Sequence, residues 1–170
     1  MTLTRDDFTR DGLAALGFEG FESVALLRES QLERVPEGGG VYAVLRESGE
    51  PTDFLKRSQG GWFKRKDPTV PVPVLRGKWV DGAVVLYIGK ADPGKNNDRG
   101  LSVRLGELLD FGAGRPIGHK GGRYLWQVGG SAEFVVCWRE DPTPRASEKI
   151  LIVEFKAAHD GARPFANLIG

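Results

Sequence analysis

The run Ala83-Val84-Val85-Leu86-Tyr87-Ile88 constrains this chain more than any other stretch. Six apolar residues in succession, bounded by Gly82 and Gly89, read as a buried strand. A matching strand is Gly40-Val41-Tyr42-Ala43-Val44-Leu45-Arg46, which opens after the glycines at 38–40. Its alternation sets Val41, Ala43 and Leu45 on one face and Tyr42, Val44 and Arg46 on the other. Each strand carries a tyrosine near one end, and the chain has three tyrosines in all.

The rest of the chain supplies layers for these strands. Residues 5–16 read as a helix with Phe8, Leu13 and Leu16 inward, Thr4 as N-cap and Gly17 as its stop. Phe18, Phe21, Val24 and Leu27 are apolar anchors with no clear period, and Ser30 is a cap for one turn before Pro36. Residues 47–82 form a long insertion with Pro51, Pro68, Pro71 and Pro73, and the prolines predict an extended path over 70–74. A polar loop follows over 91–97. A helix then starts at Asp98 as N-cap, with Leu101, Leu105, Leu108 and Leu109 on one stripe and Gly112 at its end. Residues 123–128 and 132–138 read as a hairpin around Gly129-Gly130-Ser131. Thr143 and Pro144 open a last helix over 145–159, stopped by Gly161.

At 170 residues the chain suits one domain, and a domain of this size buries roughly 70% of its unfolded surface without staples. A single cysteine, Cys137, excludes an internal disulfide and reads as packing. With His119 and His159 it cannot complete a four-ligand zinc site unless carboxylates join. No stretch approaches the ~20 apolar residues of a membrane span, and the first residues lack a signal-peptide core. The expectation is a soluble, cytoplasmic protein. The balance of 24 basic and 23 acidic residues does not advertise nucleic-acid binding. Its distribution is more informative: Lys56, Arg57, Lys64, Arg65, Lys66, Arg76 and Lys78 face only Asp67 in that stretch. A local basic stripe of this kind neutralises phosphates, or else is a solvated loop.

Glu148 shares a helical face with Leu151, Ile152, Phe155 and His159, where a carboxylate is costly unless paired or metal-bound. Glu154 points elsewhere and reads as surface. Arg104, or alternatively Arg99, is a guanidinium able to take a phosphate bidentately. His119-Lys120, in a glycine-rich loop, either helps hold a phosphate or is idle. Residues 89–96 nearly spell a phosphate loop with Lys95, but Asn96 stands where a magnesium-binding hydroxyl belongs.

The two strand-end stretches, Gly40-Val41-Tyr42 and Tyr87-Ile88-Gly89, resemble the paired signatures of the GIY-YIG nuclease superfamily. Arg104-Leu105 matches that family's Arg-Leu pair. Glu148-Lys149-Ile150-Leu151-Ile152 and Pro164-Phe165-Ala166-Asn167 match its Glu-x-x-Leu-Ile and Pro-x-x-Asn elements. There are two departures: 44 residues separate Tyr42 from Tyr87, and Leu108 stands where many members carry a histidine. The resemblance covers residues 40–167. It implies an α+β fold, with an antiparallel sheet of about three strands flanked by helices. Residues 1–38 would be an N-terminal helical extension packed on the core, and 39–170 a catalytic domain with the insertion at 47–82.

The implied activity is metal-dependent endonuclease cleavage of nucleic acid, with DNA the expected substrate. Tyr42 would take a proton from water and Tyr87 would orient the phosphate or the water. Arg104 and Lys90 would hold the phosphate, and Glu148 would bind Mg2+ or Mn2+. Asn167 would shape the site, and Lys64, Arg65, Lys66 and His119 would contact nucleic acid. Pairing of two copies as a homodimer would let both strands be cut. Two alternatives stand beside this: a nucleic-acid-binding module of the same fold without catalysis, and a nucleotide-binding enzyme using the Gly89–Lys95 loop.

Overall fold

The apolar run over 83–88 forms a strand, but one that begins at Val85 and continues through Gly89 to Ala91. In the computed structural model, which describes residues 2–93, 99–119 and 121–168, β3 spans Val85–Ala91 and pairs antiparallel with β2, Gly40–Leu45. The other side of β2 pairs antiparallel with β4, Val135–Glu140, and β4 with β1, Glu19–Ser23. The sheet order is β1-β4-β2-β3. The fold is α+β, with helices over both faces of the sheet.

The sheet has four strands rather than the expected three or so, and β1 is the addition. Its sequence, Glu19-Gly20-Phe21-Glu22-Ser23, hides the alternation because a bulge falls between Gly20 and Glu22. Gly20 and Phe21 both take positive φ there, 93° and 52°. Gly20 is required for packing as well: a Cβ would lie 2.4 Å from Cη2 of the Trp138 indole. The first 38 residues thus supply an edge strand to the sheet.

The expected hairpin after residue 122 is also corrected. Residues Arg123–Gln127 form a 3-10 turn, and a second short turn spans Ser131–Glu133 before β4 begins. Tyr124, Leu125, Trp126 and Gln127 are all buried, so this run is enclosed on every side instead of alternating. Residues 5–16 split at Thr9 into a 3-10 turn, Arg5–Phe8, and α1, Arg10–Ala15. Thr9 Oγ1 accepts from Gly12 N at 3.2 Å and caps the second piece. The Val70–Val74 run is not extended throughout, because α3, Val72–Lys78, takes Pro73 into its first turn.

Two apolar layers sandwich the sheet. Tyr42, Val44, Tyr87 and Trp138 pack with Leu101, Leu105 and Leu108 of α4, Leu101–Gly112. A short helix α2, Val24–Glu29, joins this side through Val24 and Leu27. On the other face Val41, Ala43, Ile88 and Cys137 meet Leu151, Ile152 and Phe155 of α5, Pro144–Ala158, together with Phe8 and Leu13. Burial pushes the Cys137 thiol far up, so it is packing. Val44 pairs with Tyr87 and Leu45 with Val85, which leaves Leu86 as a bulge on the Tyr42 side.

The insertion is a packed layer. The buried Gln127 amide donates to Leu55 O at 2.9 Å and Val70 O at 2.7 Å and accepts from Val70 N at 3.0 Å. Phe54, Trp79 and Phe165 stack edge to face beside it. None of the described helices is long and apolar enough to cross a membrane.

β3 is an outer strand, and its free edge is closed by a side chain. Asn167 Oδ1 accepts from Ile88 N and Asn167 Nδ2 donates to Ile88 O, both at 2.9 Å. Ala166 N adds a bond to Leu86 O at 2.8 Å. An amide can replace a neighbouring strand in this way because it carries a donor and an acceptor together. Asn167→Asp keeps the shape but turns an oxygen toward Ile88 O. It is expected to lower the unfolding free energy by about 1–3 kcal/mol in urea titration, at least as much as Asn167→Ala.

Candidate functional site

The β2–β3 register sets Tyr42 directly across from Gly89. Facing residues of an antiparallel pair share one side of the sheet and crowd each other. Gly89 removes the conflict: a Cβ there would lie 2.4 Å from Tyr42 Cζ and 2.5 Å from its hydroxyl. The phenol therefore rests across bare backbone. Two residues earlier on the same face stands Tyr87, its ring 6.0 Å from that of Tyr42. A Cβ at Gly121 would come within 2.8 Å of the Tyr87 hydroxyl, so the loop after α4 closes over it. Both tyrosines are buried.

That loop also brings in His119. Its ring is 1% exposed, with Nε2 3.4 Å from the Tyr42 hydroxyl and its centroid 6.3 Å from the Tyr87 ring. Among the described residues Nδ1 has no hydrogen-bond partner, although it is buried. Leu108, where the family pattern would place a histidine, is buried core on α4. His119 instead reaches Tyr42 from a different segment. No local signal pairs residue 119 with residue 42, because the contact exists only through the tertiary fold. The neighbouring Lys120 lies outside the described residues.

Charges border this dry cluster. Arg104, on α4, has a partly exposed side chain with Nη1 3.5 Å from Glu107 Oε1. Its positive charge acts on Tyr42, Tyr87 and His119 alike. Arg99 is more exposed and binds Glu107 at 2.7 Å; the arginine whose charge acts on the tyrosines is Arg104. On the opposite face of β3, Lys90 Nζ lies 3.1 Å from Glu148 Oε1, both partly buried. The carboxylate on the apolar face of α5 is thus paired, with a lysine. Glu148 still acts on both phenols, raising their proton affinity. Only the outermost strand lies between the faces at that point. Asn167 contributes by fixing Ile88, with both ends of its amide engaged. Lys64, Arg65 and Lys66 lie on an exposed turn of the insertion.

The protonation states follow from burial. Desolvation, then the proximity of Tyr87, pushes Tyr42 well above the usual phenol value, with Arg104 opposing. Burial raises Tyr87 as well, again against Arg104. Burial, then Arg104, lowers His119 to about 3. At neutral pH the site holds two neutral phenols and a neutral imidazole. In the tautomer with its proton on Nδ1, the imidazole accepts the Tyr42 hydrogen at Nε2.

The donor set limits any metal. Among the described residues no three His, Cys, Asp or Glu side chains gather as a chelating group. Glu148 offers one carboxylate with one oxygen already on Lys90. A lone carboxylate could hold only a cation that draws its remaining ligands from elsewhere, as from phosphate and water. The phosphate-loop alternative loses its frame: the described sheet is wholly antiparallel, without the parallel βαβ unit such a loop serves, and Lys95, Asn96 and the proposed cap Asp98 lie outside the described residues. No family model, curated protein or solved structure matches this chain.

His119 gives the site a pH signature. The unfolded histidine titrates near 6.5 and the folded one near 3, so between these values the unfolded chain binds more protons. The contribution is complete above pH 6.5 and is lost as pH falls toward about 3. Urea unfolding from pH 7.5 to pH 4 should show wild type losing more stability than His119→Gln across that window.

Proposed function

We propose that this protein is a metal-dependent endonuclease hydrolysing phosphodiester bonds of nucleic acid, with DNA as substrate, in the manner of the GIY-YIG nucleases that it resembles. The observation that carries the reading is the convergence of Tyr42, Tyr87 and His119 in one buried cluster, bordered by Arg104 and Glu148. Each tyrosine alone is ordinary strand packing. Five polar groups brought by five separate segments to the two faces of one strand pair are not.

Arg104 would hold a non-bridging phosphate oxygen and stabilise the charge that builds there. Tyr87 would orient the phosphate or the attacking water. Tyr42, neutral in the free protein, would receive the proton of that water while its own passes to His119 Nε2. The water oxygen then bonds to phosphorus as the bond to the sugar oxygen breaks; the leaving oxygen takes a proton from solvent and His119 returns its own there. An arriving phosphodiester brings negative charge beside Arg104, which offsets the lesser of the two causes that hold His119 low, burial being the larger, and makes the imidazole a better acceptor. Glu148 would hold a divalent ion, which when bound polarises the phosphate and steadies the leaving oxygen. Lys90 would then exchange its carboxylate for a phosphate.

One observation favours a second reading. Lys90 already neutralises Glu148 at 3.1 Å, as in a structural ion pair. On that basis the protein would be a nucleic-acid-binding module that does not cut. Supercoiled plasmid with Mg2+ or Mn2+ separates the two readings. Under the nuclease reading wild type relaxes or linearises the plasmid, and chelation stops it. Tyr42→Phe and Glu148→Gln each slow cutting by about 100-fold or more. Linear product from single encounters would point to two copies acting together. Absence of cutting with any divalent ion, or wild-type rates for Glu148→Gln, would overturn the reading.

A further inference from the structure

Within the insertion, residues 63–66 close a tight turn. Phe63 and Lys66 form an antiparallel bridge, and Lys66 N donates to Phe63 O at 3.1 Å. Both central residues are left-handed, Lys64 at φ 53° and Arg65 at φ 62°. Asn-Gly is the sequence such a turn prefers. Lysine and arginine occupy it at a conformational cost, and they place two cations at an exposed tip.

The residue entering the turn is Trp62, 55% exposed. The other three tryptophans are buried or half-buried, so this indole stands apart in facing solvent. Of the residues neighbouring it in sequence, Lys56, Arg57, Lys64, Arg65 and Lys66 are all exposed. An aromatic face interleaved with cations matches nucleic acid, whose bases stack while its phosphates need neutralising. An anionic membrane would ask for a broader apolar face than one indole, since the adjoining Phe63 is already half-buried.

The turn is held firmly and close to the candidate site. Gly61 N donates to Phe111 O at 2.9 Å, and a Cβ on Gly61 would lie 1.7 Å from Arg115 O, so the backbone is seated on the end of α4. The Phe63 ring covers Gly118, where a Cβ would be 3.0 Å away. Gly118 immediately precedes His119, the partner of Tyr42. A cleft of about 310 Å3 opens beneath the turn, lined by Phe63, Lys66, Thr69, Phe111 and Arg123 among others.

We infer that residues 62–66 are a finger for unpaired DNA: Trp62 stacks on an exposed base while Lys64 and Arg65 hold the phosphates beside it, presenting the strand to the Tyr42–His119 site. This rests on the nuclease reading for its substrate and extends it to strands with open bases, which negatively supercoiled plasmid also provides.

Fluorescence anisotropy tests the finger, using a labelled single-stranded oligonucleotide with Ca2+ in place of Mg2+. Trp62→Ala should weaken binding about tenfold, and Trp62→Phe by less than about threefold. Trp62→Ala should leave the salt dependence unchanged. The Lys64→Ala/Arg65→Ala double variant should flatten the log–log salt slope by about 1.4. A fully paired duplex should bind less tightly and ignore Trp62→Ala. Equal binding of wild type and Trp62→Ala to the single strand overturns the finger, as does a wild type that binds no oligonucleotide. Plasmid cutting, measured alongside, keeps the two readings separate. If wild type cuts but binding ignores Trp62, the finger fails and the nuclease stands. If binding depends on Trp62 but no divalent ion supports cutting, the nuclease fails and the finger stands.

Discussion

The centre of this protein depends on a side chain that is absent. Antiparallel pairing puts Tyr42 face to face with residue 89, and only glycine leaves room for the phenol to lie flat across the strand. With any Cβ at that position the ring would have to swing away from Tyr87 and His119. The same register carries Ile88 and Lys90 to the opposite face, where one packs on α5 and the other meets Glu148. One glycine thus allows phenols above the strand, and the strand's own alternation places an ion pair below it. Asn167 holds the outer edge of that strand and so keeps both arrangements in register.

Burial then decides the chemistry available. Tyr42, Tyr87 and His119 are driven toward their neutral forms, while Arg104 and the Lys90–Glu148 pair hold the charge at the margin. A buried imidazole whose Nδ1 has no partner among the described residues is costly to bury. Such an arrangement is suited to a role in which an anion arrives, shifts those protonation equilibria and supplies the missing polar partner. The basic turn of the insertion would supply attraction from outside the cluster, where Lys64 and Arg65 remain hydrated.

Much of this was legible in the sequence. The apolar run over 83–88 located β3, although the strand begins at Val85 and runs through Gly89 to Ala91; the run opening after the glycines at 38–40 located β2, and leucine spacing located α4. The apolar face around Glu148 both located α5 and signalled that the carboxylate needed a partner. What could not be read had local causes. β1 was hidden because Gly20 and Phe21 break its alternation, and residues 123–127 mimicked a strand because an apolar run buried on all sides has no period. Pro71 and Pro73 signalled an extended path but also fit the start of a helix, which is what α3 makes of them. His119 was indistinguishable from an idle loop histidine, since its meaning lies in a contact across 77 residues of chain. Lys90 looked free for phosphate, and only the packing of α5 against β3 shows it holding Glu148.

The most direct test is a crystal structure of the protein with a short DNA strand and Ca2+, which supports binding without turnover. The account predicts a phosphodiester against Tyr42, Tyr87 and Arg104, a cation on Glu148, and Lys90 turned from the carboxylate toward phosphate. DNA seated on another surface, with the Lys90–Glu148 pair intact and the tyrosine cluster untouched, would contradict it.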